Sequence, residues 1–536
     1  MTDTFHLSHD PWLPCELPDG RLVLRSTREA LVQAHELRGL VLDPLESAAV
    51  HRHLLAVVHR VVDGPASKED WVGIWSAGRF DEEAVDAYLD SVRERMDLFH
   101  PSEPFAQVRG LAAKGFNVDP IDKLGFERSK WGGARALFQH RTVGYRARMT
   151  PAEAARALLA HHAFATGGLV KKPKEPTSAT AAPLVRSAVV LVRGATLFET
   201  LVLNLLEYDP EDDEPIATSG ERDLPAWEQP PQRVHLHMMK KEPQRLPLGW
   251  LDLLTWEARR LELIREGDDV SGFVRAVGRG LAADPPRDPM VAHRQTDKRG
   301  WITIGLDPKR MFWREANALF SAAAISDCKD QRPKALDLLS SPEALDAIGG
   351  DATLDLDVLG LSAEKSRLDL IRAEHLRARA RLFSDGVAAT EVAIAINEKA
   401  TVAVGALRAA LVKYAAVALS PGDRTPDSKE VYRLVDSWGA TTEAWSALGE
   451  HFDALLRDLG EVEPEEARER FAQACLRVAQ ACFAAATAAG RESGRWLKAA
   501  ALGERVLHAK LRPLRTSLRA PESSSRAETN ALEGQA

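Results

Sequence analysis

Cysteine is scarce in this sequence: the 536 residues hold four, Cys15, Cys328, Cys475 and Cys482, with no C-x-x-C spacing. That excludes a zinc knuckle and a disulfide framework. On one helix Cys475 and Cys482 would stand about 10 Å apart along the axis, too far to bridge. Also missing is any run of about 18 uncharged apolar residues, and the start, Met1-Thr2-Asp3-Thr4-Phe5-His6, has neither the basic nor the apolar part of a secretory signal. A cytoplasmic protein without a membrane partner is expected. Positive charge is not in excess either. With a formal net charge of −8, any nucleic-acid contact must come from local patches. No G-x-x-x-x-G-K-S/T, H-E-x-x-H, G-x-S-x-G or dinucleotide fingerprint occurs, and no nucleophile and base stand out as a pair.

The length suits two to four domains, and 45% hydrophobic residues is ordinary for a chain with real cores. The best-marked stretch is Thr150–Leu206. Thr150-Pro151-Ala152-Glu153 is a capping box with proline at the first helical position, so a helix is predicted through Ala163. Next comes Thr166-Gly167-Gly168-Leu169-Val170-Lys171-Lys172-Pro173-Lys174. Paired glycines let a backbone approach a ligand closely and the lysines suit phosphate; a solvated linker into the Pro/Ser/Thr/Ala-rich run at 176–183 fits the same residues. Ala188–Gly194 reads as a buried strand and Thr196–Leu206 as a helix.

Upstream, Ser26-Thr27-Arg28-Glu29 is a second capping box, and helices are expected at Leu45–Val62 and Glu82–Met96. Glu103–Val108 suits a strand. Gly115–Arg148 has no sustained period but interleaves basic residues with Phe116, Phe126, Trp131, Phe138 and Tyr145, which fits single-stranded nucleic acid as well as an ordinary anchored loop. The acidic run Glu207–Glu214 suits a solvated loop or a divalent cation, and His235 with His237 could share one face of a strand. Leu251–Ile264 reads as a helix or a strand-helix unit. Phe273–Gly280 reads as a strand ending in a glycine turn, placing Arg275 and Arg279 on one side by period two. Thr303–Leu306 suits a short strand and Arg314–Ala324 a helix.

From Ser366–Arg381 onward the sequence is expected to be helical. Val392, Ile396, Ala400, Ala403, Leu407, Leu411 and Tyr414 follow one helical face, as do Phe471, Cys475, Val478, Cys482 and Ala485. With Glu430–Leu459, broken near Gly439, and Arg491–Leu514, this makes a four-helix bundle. Its last helix carries Arg491, Arg495, Lys498, Arg505 and Arg512 along one side, and Trp496, Ala499, Leu502, Val506 and Ala509 along another. Such a stripe meets phosphates or simply solvent. The fold class is α+β: a large mixed α/β body over 1–372, a four-helix bundle over 373–518 and a disordered tail over 519–536.

Several pieces, in order, resemble the CasA family, the large subunits of the type I-E CRISPR surveillance complex Cascade. They are Asp10-Pro11-Trp12-Leu13-Pro14, Glu103-Pro104-Phe105-Ala106-Gln107-Val108, Leu137-Phe138-Gln139-His140, Gly167-Gly168, Leu191-Val192-Arg193-Gly194 with Leu197–Leu206, Pro225-Ala226-Trp227, and Asp252-Leu253-Leu254-Thr255-Trp256. The resemblance covers nearly the whole chain. It implies a non-catalytic recognition protein that helps hold the 5′ end of the guide RNA (crRNA), reads the protospacer-adjacent motif in target double-stranded DNA, opens the helix beside it and recruits the helicase-nuclease. Its partners would include the small subunit and the backbone subunits. The resemblance also implies site residues: Phe138 and His140 on the guide and motif loop, and Gly167 and Gly168, with Lys171 and Lys172 beside them, at the minor groove. Arg275, or Arg279, falls on a basic finger where the family often has lysine. Glu364 and Lys365 fall on a wedge, within Gly360–Lys365, where glutamine is usual. Arg495, Lys498, Arg505 and Arg512 fall on a bundle that contacts DNA. No metal and no cofactor are expected. An enzyme reading, a metal-dependent phosphoesterase using the 207–214 carboxylates, is the alternative.

Overall fold

The computed structural model describes residues 4–126, 147–170, 177–207, 222–230, 244–282, 285–308, 310–320, 330–364, 367–420, 426–492 and 494–517. By internal contacts the chain divides into two units, one of Met1–Pro308 with Ile325–Leu376, the other of Lys309–Ala324 with Arg377–Ala536. The first mixes strands and helices and the second is helical, as the composition shift predicts.

In the first unit β1 (Leu13–Glu16) and β2 (Leu22–Arg25) pair antiparallel across Asp19-Gly20, where Gly20 takes the left-handed φ of 84° that a tight turn needs. The Ser26 hydroxyl accepts from Glu29 N at 3.1 Å and the Glu29 carboxylate accepts from Ser26 N at 2.8 Å, so the predicted capping box opens α1 (Thr27–Val32). Helix α2 (Pro44–Val62) is buried without a break from Ala48 to His59. Its one buried arginine, Arg52, is paired with Asp288 at 2.9 Å and with the Leu253 carbonyl at 2.9 Å, as a charge away from water requires.

Strand β3 (Val118–Pro120) precedes α3 (Pro151–Phe164), where Thr150 and Glu153 form the second predicted capping box, with bonds of 3.2 and 2.9 Å. A short hairpin follows, β4 (Gly168–Val170) with β5 (Thr177–Ala179). Then come β6 (Ala188–Arg193), the predicted apolar strand with Ala188–Val192 buried, and α4 (Leu197–Leu203). Strands β7 (Arg259–Glu266) and β8 (Asp269–Val277) form an antiparallel hairpin with β3 added to the β8 edge. The long strands β9 (Thr353–Glu364) and β10 (Arg367–Arg379) complete a sheet in the order β10-β9-β6.

Five expectations need correcting. Glu103–Val108 is not a strand: Pro104 brings no N–H, Ala106 sits at a φ of 52°, and the segment reaches β7 only through Val108 N to Leu261 O and through the Gln107 amide, which accepts from Leu263 N. Leu251–Ile264 splits into a helical turn at Trp250–Leu254 and β7. The strand expected at Thr303–Leu306 lies at Gly300–Thr303, and of Arg314–Ala324 the described part is helical only at Asn317–Phe320 after a 3-10 turn. Most consequentially, Ser366–Arg381 does not begin the helices; Arg367–Arg379 is β10. The period of two was hidden because two of its inward positions are charged, Arg372 and Glu374, which bond each other at 2.8 Å, while Leu376 and Ala378 continue the buried side.

Among its described residues the second unit holds four long helices: α5 (Gly386–Leu419), α6 (Ala440–Asp458), α7 (Pro464–Thr487) and α8 (Gly494–Lys510). Helix α5 packs on α7 and α8, and α6 packs on α7. By length and composition α5 could cross a membrane, but the side that makes it apolar packs on the other helices. Val392, Ile396, Ala400, Ala403, Leu407, Leu411 and Tyr414 are all buried. The run contains a π turn at Ala395–Ala400. On α7 the expected face holds from Phe471 to Cys482, whereas Ala485 is exposed and Phe483 turns inward instead.

Candidate nucleic-acid interface

Helix α3 and strand β8 form the platform on which three of the sequence-predicted elements converge: the ends of the aromatic loop, the glycine stretch and Arg275. Just before α3, Met149 and Val270 exchange main-chain hydrogen bonds of 3.0 and 2.8 Å, which fixes the return of the aromatic basic loop on β8. The departure of that loop is fixed near the other end of α3. There the His161 ring donates from Nδ1 to Leu124 O at 3.2 Å and lies 5.9 Å from the Phe126 ring and 5.8 Å from Phe273 of β8. Phe138 and His140 lie outside the described residues. On the return limb Arg148 is held by Glu266 at 3.3 Å and Asp269 at 3.9 Å.

Three residues past His161 the helix ends and the glycine stretch begins. Gly167 is favoured by proximity, since a Cβ there would stand a tight 3.1 Å from Ala181 N and 3.2 Å from Ala179 O. Gly168 is forced by conformation, with a φ of 148° that side chains with L geometry rarely adopt. The stretch expected to be a loop is therefore the first limb of a hairpin. Its root is buried, through Ala165 and the cluster of Val170, Ala179 and Val277, while Leu169 stands 72% exposed beside Gly168. Lys171 and Lys172 lie outside the described residues. Because Val277 ends β8, the hairpin is seated against the strand that carries Arg275.

Arg275 is partly exposed and its Nε is 3.8 Å from the Asp119 carboxylate of β3, which also holds Lys123 at 2.7 Å. Gly272 lets β3 close on β8, since a Cβ would meet Asp119 O at 2.9 Å and Val118 at 2.8 Å. Arg279 does not share a face with Arg275. The strand stops at Val277, and Gly278 passes so close to the Ala258 carbonyl that no side chain fits. Arg279 turns into partial burial, with its carbonyl accepting from Trp256 Nε1, and that burial, with the nearby Arg245 guanidinium, lowers its pKa.

Of the stretch Gly360–Lys365 expected to hold the wedge, Gly360–Glu364 is the end of β9, with Leu361 and Ala363 buried and Gly360 pressed on Ser187 O. Only the tip is available. Glu364 is exposed there and pairs with Arg367 at 3.1 Å; Lys365 is outside the described residues. In the second unit Arg495, Lys498, Arg505 and Arg512 are all exposed, opposite the buried Ala499, Gly503, Leu507 and Leu511. The apolar side is rotated from the expected one, for Ala509 is exposed and Trp496, Leu502 and Val506 are half-buried.

The platform is dry. Burial lowers the pKa of His161 to about 3 and of His162 to about 4, so both rings are neutral. His162 Nδ1 accepts from Arg259 N at 3.4 Å, which leaves its Nε2–H to donate to Ala106 O at 2.9 Å. Cys15, Cys475 and Cys482 are buried free thiols; burial raises all three pKa values, Cys15 and Cys475 to about 12. Among the described residues no group of three His, Cys, Asp or Glu is placed to hold a metal ion. Of the acidic run only Glu207 is described, and His235 and His237 are not. Sequence reasoning missed Arg259 and Arg260, whose only signal is a pair of charges between the apolar residues Ala258 and Leu261.

The family model for CRISPR-associated protein Cse1 matches residues 6–482. A CRISPR-associated protein CasA/Cse1 from Thermus thermophilus is 40% identical over 323 residues, 59% of this chain, and the match spans 60% of that relative's length. The crystal structure of CasA from Thermus thermophilus is similar with a TM-score of 0.80 at 30% identity, covering 95% of this chain and 99% of that one. A chain solved within a CRISPR RNA-guided surveillance complex shares the fold, with a TM-score of 0.74 at 23% identity over 94% of this chain and 99% of that one. The α+β body, the helical C-terminal region and a family match over most of the sequence agree: this chain belongs to the Cse1 (CasA) family of CRISPR-associated proteins.

Proposed function

We propose that the chain acts as the large subunit of a type I-E CRISPR surveillance complex in the cytoplasm, recognising the protospacer-adjacent motif rather than catalysing a reaction. In this reading the body over 1–372 holds the 5′ region of the guide RNA through the 115–148 loop, with Phe138 and His140 at its working end. It presents Gly167 and Gly168 to the minor groove of target DNA, with Lys171 and Lys172 on phosphates. Arg275 enters the same groove, whose negative potential favours a guanidinium. The β9–β10 tip, with Glu364 and Lys365, parts the first base pairs. The helical bundle, which begins after β10, meets the small subunit and uses Arg495, Lys498, Arg505 and Arg512 on a DNA backbone, and the assembled complex recruits the helicase-nuclease that cuts.

The observation that carries this reading is the shared seat of three elements. The glycine hairpin, both described ends of the aromatic loop and Arg275 all rest on β8 and α3. Backbone reaches a base edge only where side chains are missing, and Gly168 beside the exposed Leu169 meets that condition, while the missing Cβ of Gly167 faces Ala179 and Ala181 and lets the hairpin close. The test is reconstitution: the purified chain is added to a guide-RNA complex lacking its large subunit, and binding is measured to duplexes randomised beside the target. A preference for particular flanking bases that appears only with this chain supports the reading. Binding indifferent to those bases sinks it.

A further inference from the structure

The foot of the glycine hairpin converges on a single buried side chain. Arg259 opens β7 and is 3% exposed. Its Nη2 donates to the carbonyls of Ala165 at 3.3 Å, Thr166 at 3.2 Å and Thr180 at 2.5 Å, and its Nη1 to Ala258 O at 2.8 Å. Residues 165 and 166 enter the hairpin and residue 180 leaves it, so one guanidinium grips both limbs at their root. Ala182 N closes the same root by donating to Ala165 O at 2.8 Å. On β7 Arg259 pairs in register with Val277, and two residues on, Leu261 pairs with Arg275. The grip on the hairpin and the partner of Arg275 are thus about 7 Å apart on one strand. The neighbouring Arg260 donates to Val277 O at 2.7 Å and ties down the end of β8.

We propose that Arg259 is a positioning residue that sets the separation of the glycine hairpin from Arg275, and through it the discrimination among base sequences at the DNA edge. This rests on the reading of the hairpin as a DNA contact. A planar fork of fixed donors is suited to such a role, because three carbonyls from two chain segments lie within reach of one group, and a lysine, a point charge on a flexible stem with freely rotating donors, cannot hold the same fixed directions. Arg259 touches neither DNA nor RNA in this scheme; it acts through main-chain geometry.

The test uses Arg259→Lys in the full chain assembled with its guide-RNA complex. Affinities are measured for a duplex carrying the preferred flanking bases and for one with those bases scrambled. Hydrogen exchange is followed at the amides of Leu169, Val170, Ser178 and Ala179. The ratio of the two affinities is expected to fall about tenfold, the size of one lost base-level discrimination, with faster exchange in the hairpin and guide-RNA affinity unchanged. Should the lysine variant fail to fold, Ala179→Gly loosens the same hairpin from its apolar side and should lower the same ratio. A ratio retained within about twofold in a variant whose hairpin exchanges faster overturns the proposal. So does an unchanged ratio with unchanged exchange, which makes Arg259 a packing residue only. If the unsubstituted complex itself shows no discrimination, the hairpin's role as a DNA contact falls, and this inference with it.

Discussion

Gly168 shows what a single position contributes. Its φ of 148° costs any other residue on the order of 1–3 kcal/mol, and the strain sits in a three-residue strand rather than in the core. Gly168→Val should therefore raise hydrogen exchange in the hairpin and abolish flank-dependent DNA binding while the thermal midpoint of the chain barely moves; a large drop in that midpoint would mean the glycine serves the core. The buried histidines make a second prediction. Burial holds His53 and His161 at about 3 and His51, His59 and His162 at about 4, against 6.5 when exposed. Above pH 6.5 both folded and unfolded chains leave these rings neutral. As pH falls below 6.5 only the unfolded chain takes up protons, so stability drains by up to about 1.4 kcal/mol per pH unit for each ring until its folded pKa is reached. Urea midpoints measured above and below pH 6.5 should fall steeply on the acid side; a flat profile contradicts the burial. At this scale the sequence was legible where local chemistry decides, as in the capping boxes at Ser26 and Thr150. It was silent on Arg259, whose partners lie up to 94 residues away.

At the scale of elements, the stripe on α8 separates charge from packing. Arg495, Lys498 and Arg505 are exposed, so reversing all three to glutamate should weaken DNA binding about equally for all sequences and flatten its salt dependence by roughly 0.9 in log–log slope per lost phosphate contact, measured by titrating salt. The opposite side of the helix behaves differently. A Cβ at Gly503 would meet the Phe483 ring at 2.8 Å and Ala410 O at 3.0 Å, so this glycine is what lets α8 lie against α5 and α7. Gly503→Leu should cost about 1–3 kcal/mol or more, read as a lower denaturation midpoint. Helices with one apolar face were legible from periodicity, and α5 falls as predicted. Strand β10 was not, because Arg372 and Glu374 stand where apolar residues would have displayed the alternation, and an Ala, Leu, Arg and Glu composition reads as helix. The glycine stretch was legible as a place of close approach but not as a hairpin, since its pairing depends on Thr177–Ala179 beyond an intervening proline-rich segment.

For the whole molecule, the order of the family-like segments carried more than any one of them, and it led to the family that the comparison supports over residues 6–482. The fold class followed from the change in composition along the chain. What composition does not encode is which surface elements share a seat, because that is set by β8 pairing with β3 and β7 and by α3 spanning from the return of one loop to the start of the other. The proposed function therefore stands on the glycine hairpin touching duplex DNA beside the target. A photo-crosslinking residue at position 169, the exposed edge of that hairpin, measures this directly in the assembled complex bound to its target. Crosslinks to bases flanking the target, lost when those bases are scrambled, are the expected result. Crosslinks to protein alone, or to DNA far from the target edge, would contradict it.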